Sequence, residues 1–418
     1  MNLLSLIGGS LMNRKFTAIL TILAIALSVM LLVGVEKVRD GARASFANTI
    51  SGTDLIVGGR SGSLALLLYS VFRIGNATNN ITWESYQDIA NRKGVKWTVP
   101  ISLGDSHRGF RVMGTDTAYF EHFRFARVRA LSFATGQPFA DVQDVVLGAE
   151  VATALKYKLG DQLVLAHGLG DVNLIKHDEN PFTVVGILEK TGTPVDRTLH
   201  VSLEGIAAIH IGWESGMPPP DGQPLLSMQN PDLQPEAITA FLIGTETKFT
   251  IFGLQRIINE YPEEPLLAIL PGVALQELWD IMSVAEKALF VISVCVVLTG
   301  LIGMMTAILT SLNERRREMA ILRSVGARPR HILLLLVGEA VLLALIGVLL
   351  GIVLLYAVLW IAQPEIESRF GLFIPISGLS GYETTLLLCV LGAALLMGLV
   401  PAVRAYLNSL ADGLSIRT

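Results

Sequence analysis

The hydrophobic positions of the chain fall into four long blocks. Phe16 to Val35, Ala288 to Asn313 and Thr384 to Val403 run 20, 26 and 20 residues without a charge, and Ile332 to Gln363 runs 32 residues with Glu339 as its one charge. A hydrocarbon core of about 30 Å takes about 20 helical residues, so each block predicts one transmembrane helix. The first block is longer than the apolar part of a secretory signal, and no clean small-x-small cleavage site follows it. It predicts an uncleaved first helix. Between the first two blocks the period changes. Short β-branched runs at 96–101, 110–113, 142–147, 162–166, 182–188 and 199–202 predict strands. Residues 81–92 predict a helix with Thr82 as N-cap, and another begins at Ile206. Ala149 to Lys158 predicts a helix ended by Leu159-Gly160-Asp161. The stretch 216–235, GMPPPDGQPLLSMQNPDLQP, is dense in Pro, Asp, Asn and Gly and predicts a loop. It divides the segment into a larger first lobe and a smaller second lobe, with a strand at 237–244, a helix at 249–260 and a strand near 266–270. Residues 275–287 predict a helical stalk entering the second span.

These elements add up to an α-helical membrane domain of four transmembrane helices plus a large α+β extracytoplasmic domain inserted between helices 1 and 2. The expected boundaries are an amphipathic segment over 1–15, helix 1 over 16–36, and the outer domain over 37–274 with its loop at 212–236. Stalk and helix 2 follow over 275–313, a coupling helix or loop over 314–331, and helix 3 over 332–362. A short outer loop covers 363–383, helix 4 covers 384–404, and a tail covers 405–418.

Composition narrows the class. The 418 residues are 51% hydrophobic and 16% charged, against about 25% charged in an average globular protein. That excludes a disordered chain. The balance of 32 basic against 36 acidic residues lacks the basic excess of nucleic-acid binders. Both cysteines, Cys295 and Cys389, lie inside apolar blocks, so the outer segment has no disulfide framework and no cysteine metal site. Lys and Arg set the orientation. Arg14 and Lys15 precede the first block, Arg404 and Arg417 follow the fourth, and six arginines stand between the second and third against Glu314 and Glu318. Between the third and fourth, Glu365, Glu367 and Glu383 outnumber Arg369. Both termini and the Arg-rich loop are therefore expected in the cytoplasm, with Glu36 to Lys287 outside.

Candidate chemistry is sparse. There is no G-x-x-x-x-G-K-[ST], G-x-S-x-G or H-E-x-x-H, and no paired C-x-x-C, so no nucleotide cradle and no catalytic residue is assigned. His167 and His177 share a stretch with Asp171, Asp178 and Glu179, but the spacing fits no metal motif. No metal ligand is assigned, and the stretch reads as a solvated loop. Glu339 is the one ionisable residue of the blocks. A charge at membrane depth costs at least about 2.5–3.5 kcal/mol on insertion scales, which makes it an intramembrane polar candidate. A proton relay would need further acidic or histidine groups at that depth, and a structural role beside the Arg-rich loop is the plainer reading. Leu64, Leu66, Leu67, Leu68 and Phe72 form an apolar stretch between Arg60 and Arg73, too short to span. It reads either as a buried helix of the outer domain or as a membrane-shoulder helix in contact with substrate.

The most informative segment lies between the second and third blocks. Met319, Ile321, Leu322 and Val325 make an apolar side at helical spacing, with Arg316, Arg317 and Arg323 around it. Gly326 ends the pattern, and Arg328-Pro329-Arg330 turns the chain back to the membrane. Such a segment is either a docking helix for a soluble partner or a topogenic cluster on anionic lipid. The run Glu314-Arg315-Arg316-Arg317-Glu318-Met319-Ala320-Ile321-Leu322-Arg323-Ser324-Val325-Gly326-Ala327, continued by Arg328, strongly resembles the cytoplasmic coupling segment of MacB/FtsX/LolC-type ABC transporter permeases. Glu339-Ala340 with Gly347 and Gly351, and Pro401-Ala402-Val403-Arg404-Ala405, are similar to the same family. Val145 to Ala152, Leu159-Gly160-Asp161 and Phe182 to Leu188 resemble its periplasmic core domain.

The resemblance implies a bacterial inner-membrane permease, multi-pass, with its large domain in the periplasm. It implies ATPase coupling at Glu314 to Arg328 and a second permease copy, as homodimer or heterodimer. It also implies a separate cytoplasmic ABC ATPase carrying ATP and Mg, so that this chain is no enzyme and binds no cofactor. The family covers export with a periplasmic adaptor, lipoprotein or lipid extraction and, as the alternative, FtsX-like regulation of a cell-wall hydrolase without transport. The orientation is testable by labelling intact cells with a membrane-impermeant thiol reagent. Ser61→Cys is expected to react and Ser324→Cys to stay protected until the cells are lysed; the opposite pattern would refute the charge argument.

Overall fold

The computed structural model describes residues 14–126, 128–167, 181–210, 233–314, 324, 326–370 and 376–411. In chain order α1 (Lys15–Thr49) leads into β1 (Leu55–Gly59), α2 (Ser63–Ser70), β2 (Ile81–Thr82) and α3 (Trp83–Ala90). Then come β3 (Val95–His107), β4 (Phe110–Thr115), α4 (Ala118–His122), β5 (Arg124–Phe125), β6 (Arg129–Ala130) and β7 (Phe133–Gly136). They are followed by β8 (Asp144–Leu147), α5 (Ala149–Leu155), β9 (Gln162–Leu163), β10 (Ala166–His167), β11 (Phe182–Leu188), β12 (Thr198–Ser202) and α6 (Leu203–His210). The chain continues through β13 (Ala237–Ile238), β14 (Ala240–Thr245), α7 (Ile251–Asn259) and β15 (Leu266–Ile269) to α8 (Pro271–Glu314), α9 (Pro329–Phe370) and α10 (Gly381–Ala411). Two compact units result. One comprises Met1–Gly41, Ser283–Glu365 and Ile374–Thr418, and the other Ala42–Met282 with Ile366–Phe373.

In the first unit, the four helices expected from the apolar blocks are present, and each is long and apolar enough to cross a membrane. Lipid offers no hydrophobic drive between helices, so close association relies on small residues that let backbones approach. Gly347 and Gly351 of α9 do this against α1. A Cβ at Gly347 would meet Ile25 at 2.7 Å, and one at Gly351 would meet the Ala26 carbonyl oxygen at 2.7 Å. Gly300 of α8 faces Ser28 of α1, and Gly398 of α10 faces Ala340 of α9. The Ser28 hydroxyl donates to the Ala24 carbonyl at 2.7 Å, with the Val296 carbonyl of α8 at 3.2 Å. Ile25, Ala26, Val29 and Val33 of α1 are accordingly buried.

The second unit is built on one sheet of order β15-β1-β14-β3-β4-β12-β8-β11-β7, with β10 added to β3 and β9 to β11. β3 is long enough to serve two halves. Its first part pairs with β14, and its second part with β4 and β10. One core gathers Leu55, Val57, Ile89, Phe241, Ile243 and Leu254, and another gathers Val112, Val145, Leu147, Phe182 and Val201. The lobes are therefore not consecutive in the chain, as the division at 216–235 had suggested. β1 and the first part of β3 belong with β14 and β15. The reason is that β14 is buried along almost its whole length and needs a partner on each side. Most of that loop, 211–232, lies outside the described residues.

One of two local expectations needs adjustment. Thr82 does cap α3, its hydroxyl accepting from the Ser85 N–H at 3.3 Å. The helix from Ala149, however, stops at Leu155 rather than at Gly160. Lys156 takes the left-handed conformation with φ 60°. Gly160, at φ 85°, sits in the next turn, where its N–H donates to the Val184 carbonyl at 2.8 Å. That bond to β11 holds the turn and leaves no helix for Gly160 to end.

The glycine contacts give a prediction. Gly351→Leu overpacks the α1–α9 contact and is expected to cost about 1–3 kcal/mol. Gly392→Ala, at a position with open space, is expected to be silent. Thermal unfolding of the detergent-solubilised chain reads the difference.

Candidate functional site

The coupling residues Arg315, Arg316, Arg317, Glu318, Met319, Leu322, Arg323 and Val325 lie outside the described residues. Their anchors are described. Glu314 is the last residue of α8, and Gly326 has φ 97°, a conformation L side chains rarely adopt and glycine takes at helix ends. Ala327 is half-buried and Arg328 exposed, and the Arg328 N–H donates to His331 Nδ1 at 3.0 Å. Pro329 opens α9, where its missing N–H has no partner to lose. Nearby, Arg14 at the start of α1 donates from Nη2 to the Ser311 carbonyl in the last turn of α8, at 3.1 Å. A cation there also favours the negative end of the helix dipole.

The opposite end of the same unit carries a polar knot that sequence reasoning missed. The Ser380 N–H donates to Glu383 Oε2 at 2.7 Å, and the Glu383 N–H donates to Ser380 Oγ at 3.1 Å. This is a capping box at the start of α10, legible as Ser-x-x-Glu. Lys37 of α1 lies 3.3 Å from the same carboxylate oxygen, with both side chains nearly fully buried. Its ammonium also donates to the Ser377 and Gly378 carbonyls at 3.1 and 2.8 Å. The Tyr356 hydroxyl of α9 donates to the Ser377 carbonyl at 2.8 Å. Lys37 thus ties α1 to the start of α10, and α9 joins them at the shared Ser377 carbonyl. Arg39 pairs with Glu36 one turn back and sits over the Tyr382 ring.

Glu339 is buried in α9 next to Ala340, the residue that meets Gly398. The stretch from Leu64 proves to be a helix of the second unit. Leu66, Leu67 and Phe72 are core residues, while Leu64 and Leu68 are half-buried. Of the two readings left open for it, the buried helix describes it, because its apolar side packs under the sheet. Phe72 packs against Phe46 of α1 in a tilted arrangement at 4.6 Å, and Phe46 meets Trp279 of α8 edge-on at 5.6 Å. Ser63 donates to Glu277, and Arg43 lies over the Trp279 ring. The outer ends of α1 and α8 are therefore joined to α2 by an aromatic cluster. Elsewhere in this unit, burial pushes the His200 imidazole down to about 3, so it remains neutral between Tyr119 and Phe120 as a core group.

With these contacts in view, two family models match. The MacB-like periplasmic core domain covers residues 18–218, and the FtsX-like permease C-terminal domain covers 290–408. The chain belongs to the MacB/FtsX-type ABC transporter permeases. It is 25% identical over 413 residues to the pyoverdine export ATP-binding/permease protein PvdT of Pseudomonas syringae pv. tomato, covering 94% of this chain and 56% of that protein. It is 27% identical over 410 residues to the macrolide export ATP-binding/permease protein MacB of Nitrobacter winogradskyi, covering 92% and 56%. The chain spans about half the length of the curated relatives it matches. Among solved structures, the periplasmic region of MacB from Actinobacillus actinomycetemcomitans aligns with 55% of this chain and 94% of its own, at 12% identity and a TM-score of 0.35. The permease is a multi-pass membrane protein with a MacB-like outer domain.

The polar knot makes a quantitative prediction. Lys37→Met leaves a buried carboxylate unpaired and is expected to destabilise by about 3–5 kcal/mol. Adding Glu383→Gln, which keeps an acceptor for the Ser380 N–H, is expected to restore part of that loss. A double-mutant cycle on thermal unfolding checks it, and strictly additive effects would show that the two groups are not coupled.

Proposed function

We propose that this permease transmits the motion of an ABC ATPase across the inner membrane to its periplasmic domain. The task is export, or extraction of a lipid or lipoprotein from the outer leaflet. The ATPase engages Glu314 to Arg328 from the cytoplasm, where the chain's termini also lie. ATP and Mg are bound on that ATPase, outside the 418 residues, which carry no phosphate-binding motif. Two permease copies flank the path.

The observation that carries this reading is the continuity of α8. It leaves β15 after a single residue, packs Trp279 against Phe46, and runs unbroken to Glu314 at the edge of the coupling segment. At about 1.5 Å per residue its 44 residues reach about 66 Å, twice the thickness of the hydrocarbon core. A push at its inner end therefore has a mechanical route to the outer sheet. The small-residue helix contacts, with Glu339 as the single acid of the apolar blocks, favour force transmission over a hydrophilic conduit. Substrate is handled at the periplasmic face. The names of the relatives, macrolide and pyoverdine export, agree with the export class.

The decisive experiment reconstitutes the chain with its ATPase in nanodiscs. Arg316→Glu with Arg317→Glu is expected to cut complex formation or permease-stimulated hydrolysis at least tenfold. Intact assembly and unchanged turnover in that variant would remove the coupling role from this segment.

A further inference from the structure

Arg73 departs from two rules at one position. It follows α2 with φ 60°, a left-handed conformation uncommon outside glycine. The turn it opens is at the surface, with Ile74, Gly75 and Asn76 exposed, yet its guanidinium points inward. Nε and Nη1 are buried without a hydrogen-bond partner. Nη2 donates to the Met113 sulfur at 2.6 Å, and a thioether is a weak acceptor. A buried ion ordinarily has an opposite charge beside it. Backbone strain that coincides with an uncompensated buried charge points to a functional position.

The groups around Arg73 lack partners in the same way. The register of β12 on β4 sets His200 beside Met113, and the His200 ring stacks on Tyr119 with centroids 5.3 Å apart. Both side chains are fully buried. Neither His200 nitrogen has a hydrogen-bond partner, nor does the Tyr119 hydroxyl. Burial, and then the Arg73 charge, keeps His200 neutral, so one of its nitrogens carries a hydrogen to donate. Arg111, two residues before Met113 on β4, brings a second cation. It donates to the Asn76 side-chain oxygen at 3.0 Å and to the Gly75 carbonyl at 2.7 Å, neutral acceptors in the turn that Arg73 opens. Burial and the Arg111 charge both push the Arg73 guanidinium below its ordinary value, against the Tyr119 hydroxyl. Among the described residues neither arginine pairs with a carboxylate. Asp196, the buried acid whose charge reaches Tyr119, is already engaged. It accepts from the Thr191 N–H and hydroxyl, each at 2.8 Å, and from the Gly192 N–H at 2.7 Å.

We propose that Arg73, Tyr119 and His200 form a binding site for one carboxylate group in the outer domain, with Arg111 at its solvent side. A carboxylate supplies the missing negative charge, and its two oxygens have lone pairs for the guanidinium, phenol and imidazole hydrogens. The surroundings favour it over phosphate. One of the two cations is buried and the other half-buried, and the walls are apolar, since Phe72, Met113, Tyr119 and Phe120 belong to one core cluster. A more highly charged and more strongly hydrated ion would meet a larger desolvation cost there. The site lies apart from the coupling segment and does not rest on the ATPase reading. In the sequence Arg73 is merely the far bracket of the apolar stretch from Leu64. The strands β4 and β12 bring Met113 and His200 to it, and α4 brings Tyr119.

The test uses the full chain in detergent at neutral pH, exchanged into a Hepes buffer free of carboxylates. Calorimetric titration with sodium acetate is expected to saturate at one equivalent. Sodium phosphate is expected to bind at least about tenfold more weakly. Arg73→Met removes the charged donor and is expected to weaken acetate binding about tenfold or more. Arg92→Met, at a surface cation paired with Asp88, is expected to leave it unchanged. Because Arg73→Met also alters the core, Tyr119→Phe supplies a second variant that keeps the ring and loses the hydroxyl, and it too is expected to weaken binding. Infrared spectra of 13C-labelled acetate give an independent reading, with a bound carboxylate band in the wild type that Arg73→Met loses. Absence of saturable acetate binding would leave the orphaned donors to buried water and overturn the site. So would equal acetate affinity in Arg73→Met and wild type, or tighter binding of phosphate than of acetate.

Discussion

Helices that outrun the bilayer are the constraint on which the rest of this molecule depends. About 20 residues cross the hydrocarbon, yet α8 has 44 and α1 has 35. Beyond the lipid an exposed apolar helix is not stable by propensity alone and needs tertiary packing. The chain provides it by folding the excess into the outer unit. Phe46, Trp279 and Phe72 close over the outer ends of α1 and α8, and Ala274 and Leu275 enter the same core. The short apolar stretch 64–72 exists for this packing, which accounts for the burial of Leu66 and Leu67.

Inside the first unit the division of labour follows from dielectric. Contacts at membrane depth rely on small residues, Gly347 and Gly351 on α1 and Gly398 on Ala340. Ionic and strongly polar contacts stand at the two ends, Arg14 on the Ser311 carbonyl and Lys37 on Glu383. A charge at mid-depth meets the full insertion penalty, and one buried among helix ends needs a paired partner. The end contacts fix helix positions, and the nearly full burial of Lys37 and Glu383 makes their pairing there obligatory.

The parts of the fold that lipid dictates were legible in the sequence. Four apolar blocks became four helices because no other backbone arrangement of these lengths satisfies its own hydrogen bonds in hydrocarbon. The alternating strand Phe182 to Leu188 was equally legible, since one face is buried and the other is not. β1 was not, because a strand buried on both faces loses the alternation that marks it. Local signals such as Thr82 as N-cap, or Ser380 and Glu383 as a capping box, can be read three residues apart. Lys37 against Glu383, and Arg73 against Met113, join distant parts of the chain. Only the folded topology makes those pairs.

That topology also bears on how a push could travel. β1 follows α1 through a short connection, and β15 precedes α8 with one residue between. The two strands are hydrogen-bonded neighbours, with Ile56 opposite Ile269 and Gly59 opposite Leu266. Separating α1 from α8 at their outer ends would require breaking this ladder inside a buried sheet, where every unpaired backbone group carries its desolvation cost. Sliding or tilting the two helices together requires no such loss.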